Sequence, residues 1–250
     1  MKILALDSSG LVASVAVVEN DTLLAEYTVN YKKTHSQTLL PMLDEISNMT
    51  ELDLSTIDAI AVAGGPGSFT GLRIGSATAK GLGLALEKPL ISIPTTAAIA
   101  YNIWDTNKFV CPIMDARRNQ VYTGVYCYTD HRLDTVWEQD TMSIEALAEG
   151  LNCLDHEVIF LGDGVAVYRE KLEALLTIPF SFAPAHVNRQ RAAAVGALAE
   201  VYYKEGKIQT AEEHEPEYLR KSQAERERAE RESVKHADVV KKQENGETSE

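Results

Sequence analysis

The sequence predicts a two-lobed α/β protein built by duplication. Two successive stretches carry short apolar strands and amphipathic helices in the same order. Each stretch opens on an apolar strand that ends in aspartate, ILALD at Ile3–Asp7 and CPIMD at Cys111–Asp115. A glycine-rich segment after a strand opens a helix near residue 69. The chain has 250 residues, 45% apolar and 24% charged. That length suits one large domain or two ordinary ones, and the composition excludes a wholly disordered chain and a membrane protein.

In the first stretch, Lys2–Asp7, Val12–Val18 and Thr22–Val29 read as three strands, separated by turns at Ser8-Ser9-Gly10 and Glu19-Asn20-Asp21. A helix follows near Gln37–Asn48, with Leu39, Leu40, Leu43 and Ile46 on one face. Pro41 is tolerated only in a first turn, which places the helix start near Thr38. Strand Ile57–Ala63, a helix from Phe69 to Leu86, strand Leu90–Ile93 and a helix from Thr95 to Ile103 complete the unit. The second stretch repeats the order: strands Phe109–Asp115, Val121–Tyr128 and Leu133–Glu138, helix Ile144–Leu151, strand Val158–Leu161 and helix Val165–Leu176. A long helix from Arg189 to Lys204 ends before Gly206. The expected domains are 1–105, 106–220 with its last long helix packing back on the first lobe, and a charged tail at 221–250. The tail holds 7 basic and 8 acidic residues and has no apolar face, so it reads as a solvated helix or a disordered segment. Two β-β-β-α-β-α units in tandem point to the duplicated ribonuclease-H-like fold of actin, sugar kinases and Hsp70 chaperones. In that fold two acidic strand ends face each other across a nucleotide cleft.

Charge and targeting signals narrow the function. The net charge is −13, which opposes a solitary nucleic-acid binder because no global cationic footprint exists to displace counterions from phosphates. No run of eighteen apolar residues occurs, since the stretch 82–103 is broken by Glu87, Lys88, Pro89 and Pro94. The apolar run after Lys2 stops at Asp7, too short for a signal peptide, so a cytoplasmic protein without membrane contact is expected. Three cysteines with no C-x-x-C spacing suggest neither a disulfide framework nor a zinc knuckle.

The most specific segment is Gly64-Gly65-Pro66-Gly67-Ser68-Phe69-Thr70-Gly71-Leu72-Arg73-Ile74-Gly75. Glycines between a strand and a helix allow close backbone approach and can leave helix N–H groups facing an anion. No Gly-Lys-Ser/Thr closes it, so it is not a Walker A loop, and it misses G-x-G-x-x-G by one residue. Physics alone leaves a tight turn and a ligand loop both open.

ILALDSS at Ile3–Ser9, HSQTLLP at His35–Pro41, the Gly64–Gly75 string, Asp115-Ala116-Arg117-Arg118 with Val121-Tyr122, and PEYLR at Pro216–Arg220 occur in the order and spacing of the TsaB family. The sequence resembles that family over residues 1 to about 220. The resemblance implies a shortened, noncatalytic paralogue of TsaD, the subunit that transfers a threonylcarbamoyl group to adenosine 37 of tRNA. It further implies pairing with TsaD, participation of the ATPase TsaE, and a homodimer when TsaD is absent. It leaves tRNA contact to the complex, and ATP and a metal ion to the partner subunits, with no cofactor of the chain's own.

Gly71, Gly75, Ala79 and Gly83 recur every four residues along the helix after the glycine motif, a stripe that lets another helix pack closely. That partner could be the chain's own Leu39–Ile46 helix. Given the resemblance, the favoured reading is an intermolecular bundle using Leu39, Leu43, Gly71, Leu72, Arg73, Gly75, Ser76, Ala79, Lys80 and Gly83.

Chemistry of the chain's own looks eroded. Where TsaD-type proteins carry a metal-binding histidine run, this sequence reads Pro94-Thr95-Thr96-Ala97-Ala98-Ile99-Ala100. A vestigial nucleotide cleft would use Asp7, Ser8, Gly10, Asp115, Gly162 and Gly164, but Ala116, Arg117 and Arg118 stand where phosphate-wrapping glycines belong. His35 precedes an apolar helix and reads as a hydrogen-bonding residue rather than a base. Two rivals remain: an autonomous ATP-dependent enzyme of the sugar-kinase type, and an endopeptidase using Ser8, Ser9, Ser36 or Ser68, although no G-x-S-x-G elbow occurs.

Overall fold

A computed structural model describes residues 1–31 and 35–220. The charged segment 221–250, expected to be a solvated helix or tail, lies outside the described residues. Within Met1–Tyr218, a single compact unit, two five-stranded sheets repeat one architecture.

The first sheet contains β1 (Lys2–Asp7), β2 (Ala13–Glu19), β3 (Thr22–Val29), β4 (Ala59–Gly65) and β5 (Leu90–Pro94), in the order β3-β2-β1-β4-β5. β1 pairs antiparallel with β2 and parallel with β4, so it is central, and its run Ile3–Leu6 is fully buried. A central strand with both faces covered must be apolar at every position, which explains the unbroken ILAL. Leu4 and Leu6 join Leu39, Leu43, Ile60 and Ala79 on one face, while Ile3 and Ala5 join Ile91, Ile99 and Val195 on the other, as the two-residue period of a strand requires. Helices α1 (Leu39–Thr50) and α2 (Phe69–Leu86) cover the first face, and α3 (Thr95–Ala100) lies on the second.

The second sheet contains β6 (Phe109–Arg117), β7 (Gln120–Thr129), β8 (Arg132–Ser143), β9 (Val158–Leu161) and β10 (Phe180–Phe182), in the order β8-β7-β6-β9-β10. This is the order of the first sheet, with β6 in the place of β1. Helices α4 (Ile144–Leu154) and α5 (Val165–Leu175) pack on it around Phe160, Leu147 and Leu172. The duplicated ribonuclease-H-like fold is therefore present. Sequence reasoning missed β10, because three residues are too few to show a period; its pairing with β9 at Val158–Phe160 makes it a strand.

The last helix, α6 (Ala192–Lys204), follows the second lobe in sequence but packs on the first sheet. A methyl at Gly196 would lie 2.7 Å from Val18 Cγ2 and 3.2 Å from Ala5 Cβ, so glycine is what allows the approach. The free N–H groups of its first turn find acceptors in that sheet: Ala192 N donates to Ser14 Oγ at 2.9 Å, and Ala193 N to Glu26 Oε1 at 3.0 Å. Glu26 also takes a two-pronged bond from Arg191, whose Nε reaches Oε2 at 3.0 Å.

After α6 the chain returns along α2. Gln209 exchanges backbone hydrogen bonds with Leu90 at 2.8 and 2.9 Å, Ala211 packs against Gly83, and Glu217 N donates to Gly64 O at 2.7 Å. Residues 209–218 thus run antiparallel to α2, from its last turn to its first.

Candidate functional site

The glycine-rich motif is a β4–α2 turn whose close approaches are made by the chain itself. A methyl at Gly65 would lie 2.2 Å from Glu217 O, one at Gly67 2.3 Å from Ser9 O, and one at Gly71 2.1 Å from Ser8 O. Gly65 also has φ +125°, which a larger residue adopts only with strain. Ser68 N donates to Ser9 O at 2.7 Å, and Ser68 Oγ caps α2 by accepting from Gly71 N at 3.3 Å. The glycines admit the β1–β2 turn and the C-terminal segment, so the tight-turn reading is the one the geometry supports.

The same holds across the cleft between the two aspartate-ended strands. A methyl at Gly10 would lie 2.5 Å from Gln190 Nε2, and one at Gly162 2.2 Å from Ile113 O. Gly164 N donates to Ile113 O at 3.0 Å, and a methyl there would meet the same oxygen at 2.9 Å. The β6–β7 hairpin closes on its own strand end: Arg117 N donates to Asp115 Oδ1 at 2.8 Å and Arg117 Nη1 meets Asp115 Oδ2 at 3.0 Å. Arg117, Arg118 and Asn119 all take positive φ there, a turn made without glycine.

Asp7 is fully buried. Its Oδ1 accepts from Ser9 N at 2.9 Å and Ser9 Oγ at 2.7 Å, while Oδ2 is sealed from solvent without a protein hydrogen bond. Burial pushes the Asp7 carboxyl up to about 6, with the Ser9 bonds and His35 opposing and the charge of Asp163 adding to the rise. Asp163 is itself raised by burial, against the pull of Arg189. The amide of Gln190, also fully buried, has neither polar atom hydrogen-bonded within the protein. Polar groups sealed in this way are costly. Sequence reasoning named Asp7, Asp115, Gly162 and Gly164 but missed Asp163 and Gln190; Gly162-Asp163-Gly164 carried a signal for the first, and nothing local marked the second.

The hydroxyls that a hydrolase would need are committed elsewhere. Ser8 Oγ donates to Gly71 O at 2.8 Å and Ser9 Oγ to Asp7. His35 donates from Nε2 to Gly10 O at 2.8 Å, a hydrogen-bonding role. Among the described residues no three His, Cys, Asp or Glu side chains converge closely enough to hold a metal ion.

Most residues of the expected contact stripe lie inside the chain. Gly71, Leu72, Gly75, Ser76, Ala79 and Gly83 are buried within the chain, and so are Leu39 and Leu43. A methyl at Gly75 would lie 2.5 Å from Ser8 Oγ and 3.5 Å from Val62 Cγ2; one at Gly83 would lie 2.3 Å from Leu90 Cδ1. The small residues seat α2 on its own lobe, because the helix lies close to Ser8 in the turn after β1 and to Val62 on β4. Lys80 is also turned inward, donating to His214 O at 2.9 Å. Of the ten residues expected at the interface only Arg73 is exposed, its guanidinium 4.3 Å from the centroid of the Phe69 ring. The outer face of α2 is instead Arg73, Ala77, Gly81 and Leu84, and exposed Leu40 and Met49 lie on neighbouring α1.

A family model described as TsaD, tRNA N6-adenosine threonylcarbamoyltransferase, matches residues 22–228. The tRNA threonylcarbamoyladenosine biosynthesis protein TsaB of Bacillus subtilis (strain 168) is 32% identical over 225 residues, covering 90% of this chain and 96% of that one. The protein of the same name in Escherichia coli (strain K12) is 31% identical over 232 residues, again 90% and 96%. Among solved structures, YeaZ from Pseudomonas aeruginosa superimposes with a TM-score of 0.76 at 27% identity, over 87% of this chain and 99% of that one. The ethanolamine utilization protein EutJ from Carboxydothermus hydrogenoformans shares the fold, at a TM-score of 0.52 and 10% identity over 79% and 90%.

Proposed function

The chain belongs to the TsaB family, whose members are named for tRNA threonylcarbamoyladenosine biosynthesis, and on that premise we propose that it is the accessory, noncatalytic subunit of the threonylcarbamoyl transferase. It pairs with TsaD, which supplies the active site with its ATP and metal ion, and TsaE joins them as the ATPase. In the absence of TsaD the same surface joins two copies of the chain. The observation that supports this reading is that the glycines of these turns pack against the chain's own atoms: Gln190 at Gly10, Ile113 at Gly162 and Gly164, and Ser8, Ser9 and Glu217 along the glycine-rich turn. A sugar kinase uses such glycines to bring backbone against phosphate. Here each of these glycines packs against the chain itself, which supports a structural role for the turns and the noncatalytic reading. The net charge of −13 leaves tRNA to be engaged through the complex, in the cytoplasm. Among the described residues no helix is long and apolar enough to cross a membrane.

The docking surface on this reading is the outer face of α1 and α2. Leu40, Met49 and Leu84 are 53%, 78% and 59% exposed, and Ala77 and Gly81 between them keep the surface low. A threonylcarbamoyl transfer assay tests the function: the chain alone forms no product, and adding it to TsaD and TsaE raises turnover. Product from the chain without TsaD would refute the assignment. Leu84→Arg places a charge on the exposed face of α2, and co-elution with TsaD is expected to weaken at least tenfold while the melting temperature stays within a few degrees. Unchanged co-elution would move the interface elsewhere.

A further inference from the structure

We propose that residues 209–218 form a strap that braces α2, so that the local stability of this helix depends on the C-terminal segment of the chain. α2 needs such support. It carries glycine at positions 71, 75, 81 and 83, and each interior glycine weakens a helix by about 1 kcal/mol relative to alanine. The strap grips the helix at both ends and in the middle. Just past the last turn, Gln209 pairs with Leu90 of β5 through two backbone bonds, and on the turn itself Ala211 Cβ lies 3.6 Å from where a methyl on Gly83 would stand. In the middle, Lys80 Nζ donates to His214 O at 2.9 Å and to Glu212 O at 3.4 Å. His214 is almost completely buried, and its Nδ1 pairs with Gln209 Nε2 at 2.7 Å. Ahead of the first turn, Glu217 N donates to Gly64 O at the end of β4 at 2.7 Å, and on the turn itself the Tyr218 ring packs against Phe69 with centroids 4.6 Å apart. The Glu217 side chain also accepts from Gln139 Nε2 at 2.5 Å, so the strap reaches the edge strand of the second sheet.

None of these anchors lies on the outer face of α2, and only Phe69 touches it through Arg73. The brace is thus separable from the docking surface proposed above. It goes beyond that reading, because it concerns the isolated chain. Its consequence is that whatever engages the C-terminal segment also tunes the order of α2.

The test is amide hydrogen exchange on the full chain, comparing the parent with Lys80→Met and, separately, Glu217→Pro. The first removes the ammonium that holds two strap carbonyls, and the second deletes the N–H that reaches Gly64. Exchange over residues 78–86 is expected to quicken about tenfold or more in Lys80→Met, and over 69–73 in Glu217→Pro, with protection of β1 and β6 unchanged. Unchanged α2 protection in both variants overturns the proposal. Loss of protection spread evenly over both sheets also overturns it, because it would show general destabilisation rather than a local brace. Co-elution with TsaD, measured alongside, separates the two ideas: Leu84→Arg failing to weaken it refutes the docking face and leaves the brace standing.

Discussion

In the isolated protein, Gly75→Leu is expected to lower the free energy of unfolding by about 2–5 kcal/mol, by overpacking and by stranding a buried hydroxyl. The Cβ alone would stand 2.5 Å from Ser8 Oγ, inside any real contact, with Val62 Cγ2 at 3.5 Å behind it. Ser8 cannot turn away freely, because it is buried and its hydroxyl donates to Gly71 O at 2.8 Å. Relief therefore requires α2 to lift from β4, which loses burial along the whole helix. The gain in helix propensity, about 0.8 kcal/mol, is too small to offset this. Gly81→Ala is the matched control. Nothing lies within 4 Å of the methyl it adds, so the same helix is expected to become more stable by up to about 1 kcal/mol. Urea titrations of both variants decide the matter. A folded Gly75→Leu monomer of parental stability would mean that the glycine stripe is not an internal seat.

Asp7→Asn is expected to stabilise the protein at pH 8 and to lose that advantage near pH 4. The carboxyl titrates near 3.8 in the unfolded chain and about 6 in the folded one, because burial disfavours its charge. Between those values the folded protein binds the extra proton. Its stability therefore falls as pH rises from about 4 to about 6, and stays lower above. Two pH units correspond to about 3 kcal/mol. Asparagine carries no charge and retains an oxygen for the two Ser9 bonds, so this decline vanishes in the variant. The difference in unfolding free energy between parent and variant should thus grow by about 3 kcal/mol from pH 4 to pH 8. A difference independent of pH would show that the Asp7 carboxyl is not raised.

Much of the architecture was legible because periodicity is local. The central strand Lys2–Asp7 and the long helix Phe69–Leu86 have the predicted limits, and the helix containing Pro41 begins at Leu39, close to where proline's missing N–H required. The four-residue recurrence of Gly71, Gly75, Ala79 and Gly83 was equally visible, and it correctly announced a close contact. Its direction was not readable. Two surfaces could receive a small-residue face, and the sequence pattern of α2 is the same whether the receiver is another molecule or the chain's own strand.

The tandem α/β order, the two aspartate-ended strands, the family and the absence of the histidine run could all be read along the chain. Each is a matter of residue type and spacing along the chain. The packing of Gln190, Ile113 and Glu217 against Gly10, Gly162 and Gly65 was visible only once the chain was folded. Those contacts join positions 49 to 180 residues apart, between segments with no shared period, and what brings them together is the packing of both sheets and the return of the C-terminal segment along α2.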